Sequence, residues 1–185
     1  PFSRGSDDLD LRQNRLTGAI PASLGKLEAL KELYLDHNQL SGEIPKELGS
    51  NGQPLRSLYL DHNRLEGSIP ATLTQIPSLV RISIGANRLT GQVPPLQSCL
   101  ELREVTLHGN RLEGSLPSLP RELEQLDVGD NLLYGQPVLP KTLQRLDLSH
   151  NRFTGDLSDV LEVFCNLQPM GGELRELRLS HNHFT

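Results

Sequence analysis

The frame Leu-x-x-Leu-x-Leu-x-x-Asn constrains this chain more than any other feature. Its Asn falls at Asn14, Asn38, Asn63, Asn87, Asn110, Asn131, Asn151 and Asn182. The intervals shorten from 24 or 25 residues to 20, then lengthen to 31 for the last. Such a period marks stacked units, each too small to bury its own apolar side chains. In Leu30–Asn38, Leu33 and Leu35 lie two apart and share one side of a short strand, with Tyr34 facing the other way. Equivalent strands then make a parallel sheet with neighbours about 4.8 Å apart. The spacing predicts one α/β-class solenoid over residues 1–185, of about eight coils, with a parallel sheet on its concave face.

The repeated Asn has its own physical role. A chain that turns after every strand leaves backbone N–H and C=O groups inside the bend, and buried backbone groups must be paired. An Asn side chain offers both donor and acceptor, so it can bond its own turn and an adjacent coil. The eight frame asparagines are therefore expected to form a structural ladder.

The segment after each Asn reads Leu16-Thr17-Gly18-Ala19-Ile20-Pro21 and Leu40-Ser41-Gly42-Glu43-Ile44-Pro45. It continues as Leu65-Glu66-Gly67-Ser68-Ile69-Pro70, Leu89-Thr90-Gly91-Gln92-Val93-Pro94 and Leu112-Glu113-Gly114-Ser115-Leu116-Pro117. This resembles the plant-type leucine-rich repeat, with its L-x-G-x-I-P element, over units one to five. The resemblance implies a bend at the Gly, a return path begun by Ile-Pro and short 3₁₀ turns on the convex side. From Leu116 onward the paired Leu-Pro elements are similar to the short repeats of some bacterial effector proteins. Pro fixes φ and lacks an N–H, so these returns should be extended, and this half should curve differently. In the long last interval, Val160, Leu161, Phe164 and Leu167 fall at helical spacing, predicting a short helix near 157–167 capped by Asp156 or Ser158. Gln168–Glu173 reads as a loop.

Composition sets outer limits. Net charge is −5, which argues against a nucleic-acid partner. No run of about 18 apolar residues is present to span a membrane. The weakly patterned start and the stop in mid-unit lead to the expectation that the chain is a piece of a longer protein without its caps; the alternative is a partner subunit covering an end. Cys99 and Cys165 sit three coils apart, roughly 14 Å, too far for a disulfide. The chain has no Asn-x-Ser/Thr triplet, but the frame itself forbids it at most Asn, so the compartment stays open.

The outward strand positions give the candidate site. Units two and three repeat Leu-Tyr-Leu-Asp-His-Asn, which stacks Tyr34 on Tyr59, Asp36 on Asp61 and His37 on His62. Ser83 and Thr106 beside them are small and leave room for a partner. Tyr is common at binding hot spots, so these eight residues are the expected partner-binding patch. The competing reading is that adjacent Tyr side chains only stabilise the sheet, or that a duplicated unit copied the hexapeptide. Paired His and Asp are also metal-ligand types, but neighbours along a strand-like path diverge, and no metal site is expected. No catalytic set and no phosphate-cradling loop stand out, and no cofactor is expected. Asp127 and Asp147 lie on an open sheet without the closed pocket that shifts carboxyl pKa values. The expected function is a non-catalytic protein–protein interaction module. The family resemblance also implies two alternatives, a carbohydrate-binding or enzyme-inhibitor protein and a receptor-kinase ectodomain.

Overall fold

The computed structural model describes residues 7–165 and 174–185. Eight short strands stack in chain order into one parallel sheet: β1 (Asp8–Asp10), β3 (Glu32–Tyr34), β5 (Ser57–Tyr59), β7 (Arg81–Ser83), β9 (Glu104–Thr106), β11 (Gln125–Asp127), β13 (Arg145–Asp147) and β15 (Glu176–Arg178). The register keeps frame positions aligned: Leu33 pairs with Leu58, Leu58 with Ile82, and Ile82 with Val105. These inward residues form the core with Leu35, Leu60, Ile84 and Leu107. Each strand is three residues long because only its middle residue and the next frame Leu point inward, after which the chain must turn.

A second parallel sheet of eight strands runs along the flank. It contains β2 (Thr17–Gly18), β4 (Gln39–Glu43), β6 (Arg64–Gly67), β8 (Arg88–Gln92), β10 (Arg111–Gly114), β12 (Leu132–Gly135), β14 (Arg152–Gly155) and β16 (His183–Phe184). The sequence reading assigns this stretch a bend and a return path; here it is ladder-forming strand. The reason is visible in the alternation: Leu65 in Arg64–Gly67 is buried between exposed Arg64 and Glu66, the period of a half-buried strand. The bend comes at the strand's end, where Gly67 has φ of 78°, a value that favours glycine.

The return paths differ along the solenoid. Coils one to three carry 3₁₀ turns at Ala22–Lys26, Ser50–Gly52 and Leu73–Gln75. The Pro-rich returns of coils five and six contain no helix. The long seventh unit forms helix α1 (Leu157–Cys165), which buries Val160 and Phe164. Asp156 caps it by accepting the Ser158 N–H at 2.8 Å. The expected end of this helix at 167 and the loop Gln168–Glu173 lie outside the described residues. Cys99 is a buried free thiol, and burial pushes it up to about 11. Among the described residues no helix is long and apolar enough to cross a membrane.

The frame Asn side chains tie coil to coil. Asn110 Oδ1 accepts the Leu89 N–H at 3.0 Å, while its Nδ2 donates to Ile84 and Leu107 carbonyls at 3.1 and 3.0 Å. Asn38, Asn63, Asn87, Asn131 and Asn151 make the same bridge, as does Asn182, which accepts from Phe153 and donates to Leu148. Asn14 is exposed and donates only within its own turn, to Leu11 and Arg12 carbonyls.

Candidate binding face

The outward residues of the first sheet form three columns, and the backbone decides which types each column accepts. The residue before every frame Asn is left-handed: Gln13, His37, His62, Ala86, Gly109, Asp130, His150 and His181 all have φ between 48° and 63°. Gly adopts this region freely, and Asp and His tolerate it better than most side chains. Two neighbouring imidazole pairs, tilted His37–His62 at 4.4 Å and stacked His150–His181 at 4.1 Å between ring centres, sit at these positions. Their residue type therefore has a backbone reason independent of any ligand.

Tyr34 and Tyr59 face outward from the paired strands β3 and β5, with ring centres 5.1 Å apart and planes 18° from parallel. The other face of Tyr34 carries the Arg12 guanidinium, 4.3 Å from the ring centre. Arg12 in turn donates to Asp10 at 2.8–3.0 Å. The outcome is a three-layer stack, Arg12–Tyr34–Tyr59. The Tyr34 hydroxyl donates to Glu32, which pushes its pKa up to about 12. Ser83 lies in register beside Tyr59, and Thr106 beside Ser83.

The Asp and His candidates separate into different environments. Asp36 contacts His37 Nδ1 at 3.1 Å, and that imidazole is exposed. Asp61 is only 8% exposed and accepts the Gly85 N–H at 2.8 Å. Burial raises its carboxyl above the ordinary value, while hydrogen bonds from Ser83 and Gly85 and the charge of His108 oppose the rise. Asp61 thus supports the floor of the patch, whereas Tyr34, Tyr59, Asp36, His37 and His62 reach its surface.

His108 belongs to this neighbourhood and is absent from the patch as read from sequence. Its ring leans over Gly85, only 2.7 Å from where a Cβ would stand, and lies 6.5 Å from His62. Asp127 Oδ2 approaches His108 Nδ1 to 3.2 Å, but the buried nitrogen makes no well-directed hydrogen bond. Asp127 raises the imidazole pKa above its ordinary value, with burial opposing. The available signal was Gly85, a bare position between Asp61 and His108 in its column. Among the described residues no group of three or more His, Cys, Asp or Glu side chains is arranged to hold a metal ion.

The comparisons agree with the coil geometry. A family model described as Leucine Rich Repeat matches residues 7–27, 29–51, 54–76 and 142–167, half of the chain. Pollen receptor-like kinase 2 of Arabidopsis thaliana is 34% identical over 86 residues, 46% of this chain and 13% of that protein. The Arabidopsis receptor kinase HAESA, solved with the peptide hormone IDA and the co-receptor SERK1, superposes with a TM-score of 0.78 at 34% identity, over 92% of this chain and 28% of that one. The plant peptide hormone receptor RGFR1, solved with RGF2, gives 0.80 at 33% identity, over 95% and 32%. The chain spans less than a third of each of these proteins. It belongs to the leucine-rich repeat family, in its plant-type form.

Proposed function

We propose that this chain is a non-catalytic recognition module that binds a segment of another protein along its concave sheet, centred on Tyr34, Tyr59, Asp36, His37, His62, Ser83 and Thr106. The observation that carries this reading is the stacked Tyr34–Tyr59 pair beside the small Ser83 and Thr106. Aromatic rings held flat on a rigid sheet lose little entropy when a partner covers them, which is what a hot spot requires. Solved neighbours include a receptor kinase in complex with a peptide hormone and a plant peptide hormone receptor in complex with RGF2, which supports a receptor ectodomain as the setting. The outward columns of coils one to three hold Asp8, Asp10, Glu32 and Asp36 against the one cation Arg12, a surface that disfavours nucleic acid.

The experiment is capture from extract of the native source with the parent chain and with Tyr34→Ala/Tyr59→Ala, followed by mass spectrometry. Loss of a protein partner from the double variant is the expected result. Retention of every captured partner contradicts the reading. Binding of the parent to a glycan array with no protein captured favours a carbohydrate-binding role instead.

A further inference from the structure

We infer that the outer face of Tyr59 is a seat for an arginine side chain of the bound polypeptide, the fourth layer of a stack that the chain itself begins with Arg12. This rests on the concave-face reading above and names the chemistry of what that face takes.

The stack has a direction. Arg12 covers the first face of Tyr34 at 4.3 Å, and Tyr59 covers the second at 5.1 Å. Tyr59 therefore has one face toward Tyr34 and one toward the next coil. The residue in register there is Ser83, and Thr106 follows. Neither is large enough to cover an aromatic ring. Among the described residues, no ring or cation other than Tyr34 stacks on Tyr59. Coils advance by about 4.8 Å, close to the spacing of stacked planar groups, so one planar layer fits over Ser83 without moving the sheet.

Charge selects which planar group. The carboxylates of Glu32, Glu104 and Asp61 act on Tyr59 electrostatically, as does the cation Arg81. Arg81 is already engaged by Glu104 at 3.2 Å, and buried Asp61 is held by the Gly85 N–H, which leaves Glu32, bonded by the Tyr34 hydroxyl, as the carboxylate without an ion-pair partner among the described residues. A second aromatic ring would fill the layer but leave that charge unanswered. A guanidinium stacks flat on an aromatic face and carries the balancing charge, whereas a lysine ammonium is compact, strongly hydrated and does not stack. The Arg12 layer shows the same pairing inside the chain: a guanidinium on a Tyr face, held by a neighbouring carboxylate.

The test reads the ring directly. The chain has three Tyr residues, so their ring resonances can be assigned by substitution. The probes are three capped pentapeptides, Gly-Gly-X-Gly-Gly with X as Arg, Lys or Phe, titrated into the whole chain at neutral pH. The expected result is a saturable shift of the Tyr59 ring resonances with the Arg peptide, several-fold stronger in apparent affinity than with Lys or Phe. In Ser83→Tyr, where the chain's own ring fills the layer, the Arg shift should disappear. No saturable shift at Tyr59, an equal or stronger response to Phe, or an Arg shift that persists in a folded Ser83→Tyr overturns the seat. If Ser83→Tyr does not fold, the ranking of the three peptides on the parent decides alone. A silent Tyr59 together with partner loss in Tyr34→Ala/Tyr59→Ala removes the arginine seat and leaves concave binding intact.

Discussion

Asn87 and Leu65 join two coils: the Leu65 N–H donates to Asn87 Oδ1 at 3.0 Å across the coil boundary. The same side chain donates from Nδ2 to the carbonyls of Leu60, Ile84 and Gly85 at 3.0–3.2 Å. One amide thus satisfies a donor and three acceptors inside the bend. Asn87→Leu keeps the volume and removes all of these bonds, so it should cost roughly 1–3 kcal/mol through unpaired buried backbone groups. Urea unfolding should show a lower midpoint with an unchanged slope; an unchanged midpoint contradicts this role.

The left-handed residue before each Asn gives a second prediction, which separates backbone from ligand roles. At His62, with φ of 53°, a β-branched side chain is strained, and His62→Val should lower stability by roughly 1–2 kcal/mol. His62→Asn, which tolerates this conformation, should leave the melting temperature nearly unchanged. If Asn and Val are equally harmful, the imidazole itself matters to the fold and the conformational explanation fails.

His108 should be sensitive to pH in a definite direction. Its pKa is raised in the fold by Asp127. A raised folded value means that this contribution to stability is fully present below the ordinary imidazole pKa and is lost as pH rises through the folded one. His108→Gln should therefore lose more stability at pH 5.5 than at pH 8.5. Proton NMR should place the His108 titration above about 6.5, the ordinary imidazole value. A midpoint at or below that value contradicts the Asp127 contact.

Asp61 carries the opposite cost. Burial raises its carboxyl pKa, so its contribution is present below the ordinary value and is lost as pH rises through the folded one. At neutral pH the charged form opposes folding. Asp61→Asn retains an acceptor for the Gly85 N–H, and should be as stable as the parent or more so at pH 7. The difference should vanish on acidification toward pH 3. A marked loss of stability at pH 7 in this variant would mean that the negative charge is needed, with His108 its nearest counterpart.

Much of this fold was legible because the determinants are local and repeated. The period-two placement of Leu33 and Leu35 and the spacing of the Asn residues set strand, core and coil number before any coordinates. The second sheet was not legible because the Leu-x-Gly element that ends each of its strands reads first as a bend. Ladder pairing between Arg64–Gly67 and its neighbours arises only once the coils are stacked. The candidate patch was legible in its Tyr pair, since identical hexapeptides must align. What stayed hidden were side-chain contacts between neighbouring coils. Arg12 reaches Tyr34 from one coil before, and His108 leans back over Gly85 from one coil after. Asp36 and Asp61 occupy the same frame position, yet they differ because the next coil offers Asp61 the bare Gly85 to bond and Asp36 another carboxylate.

Site-specific photo-crosslinking tests the central claim most directly. A benzophenone side chain is placed at Ser83 on the first sheet, and separately at Glu66 and Glu113 on the flanking sheet, and each chain is irradiated with its captured partner. The account predicts a crosslinked protein adduct from position 83 and none from 66 or 113. Adducts from the flanking positions with none from 83 would contradict it.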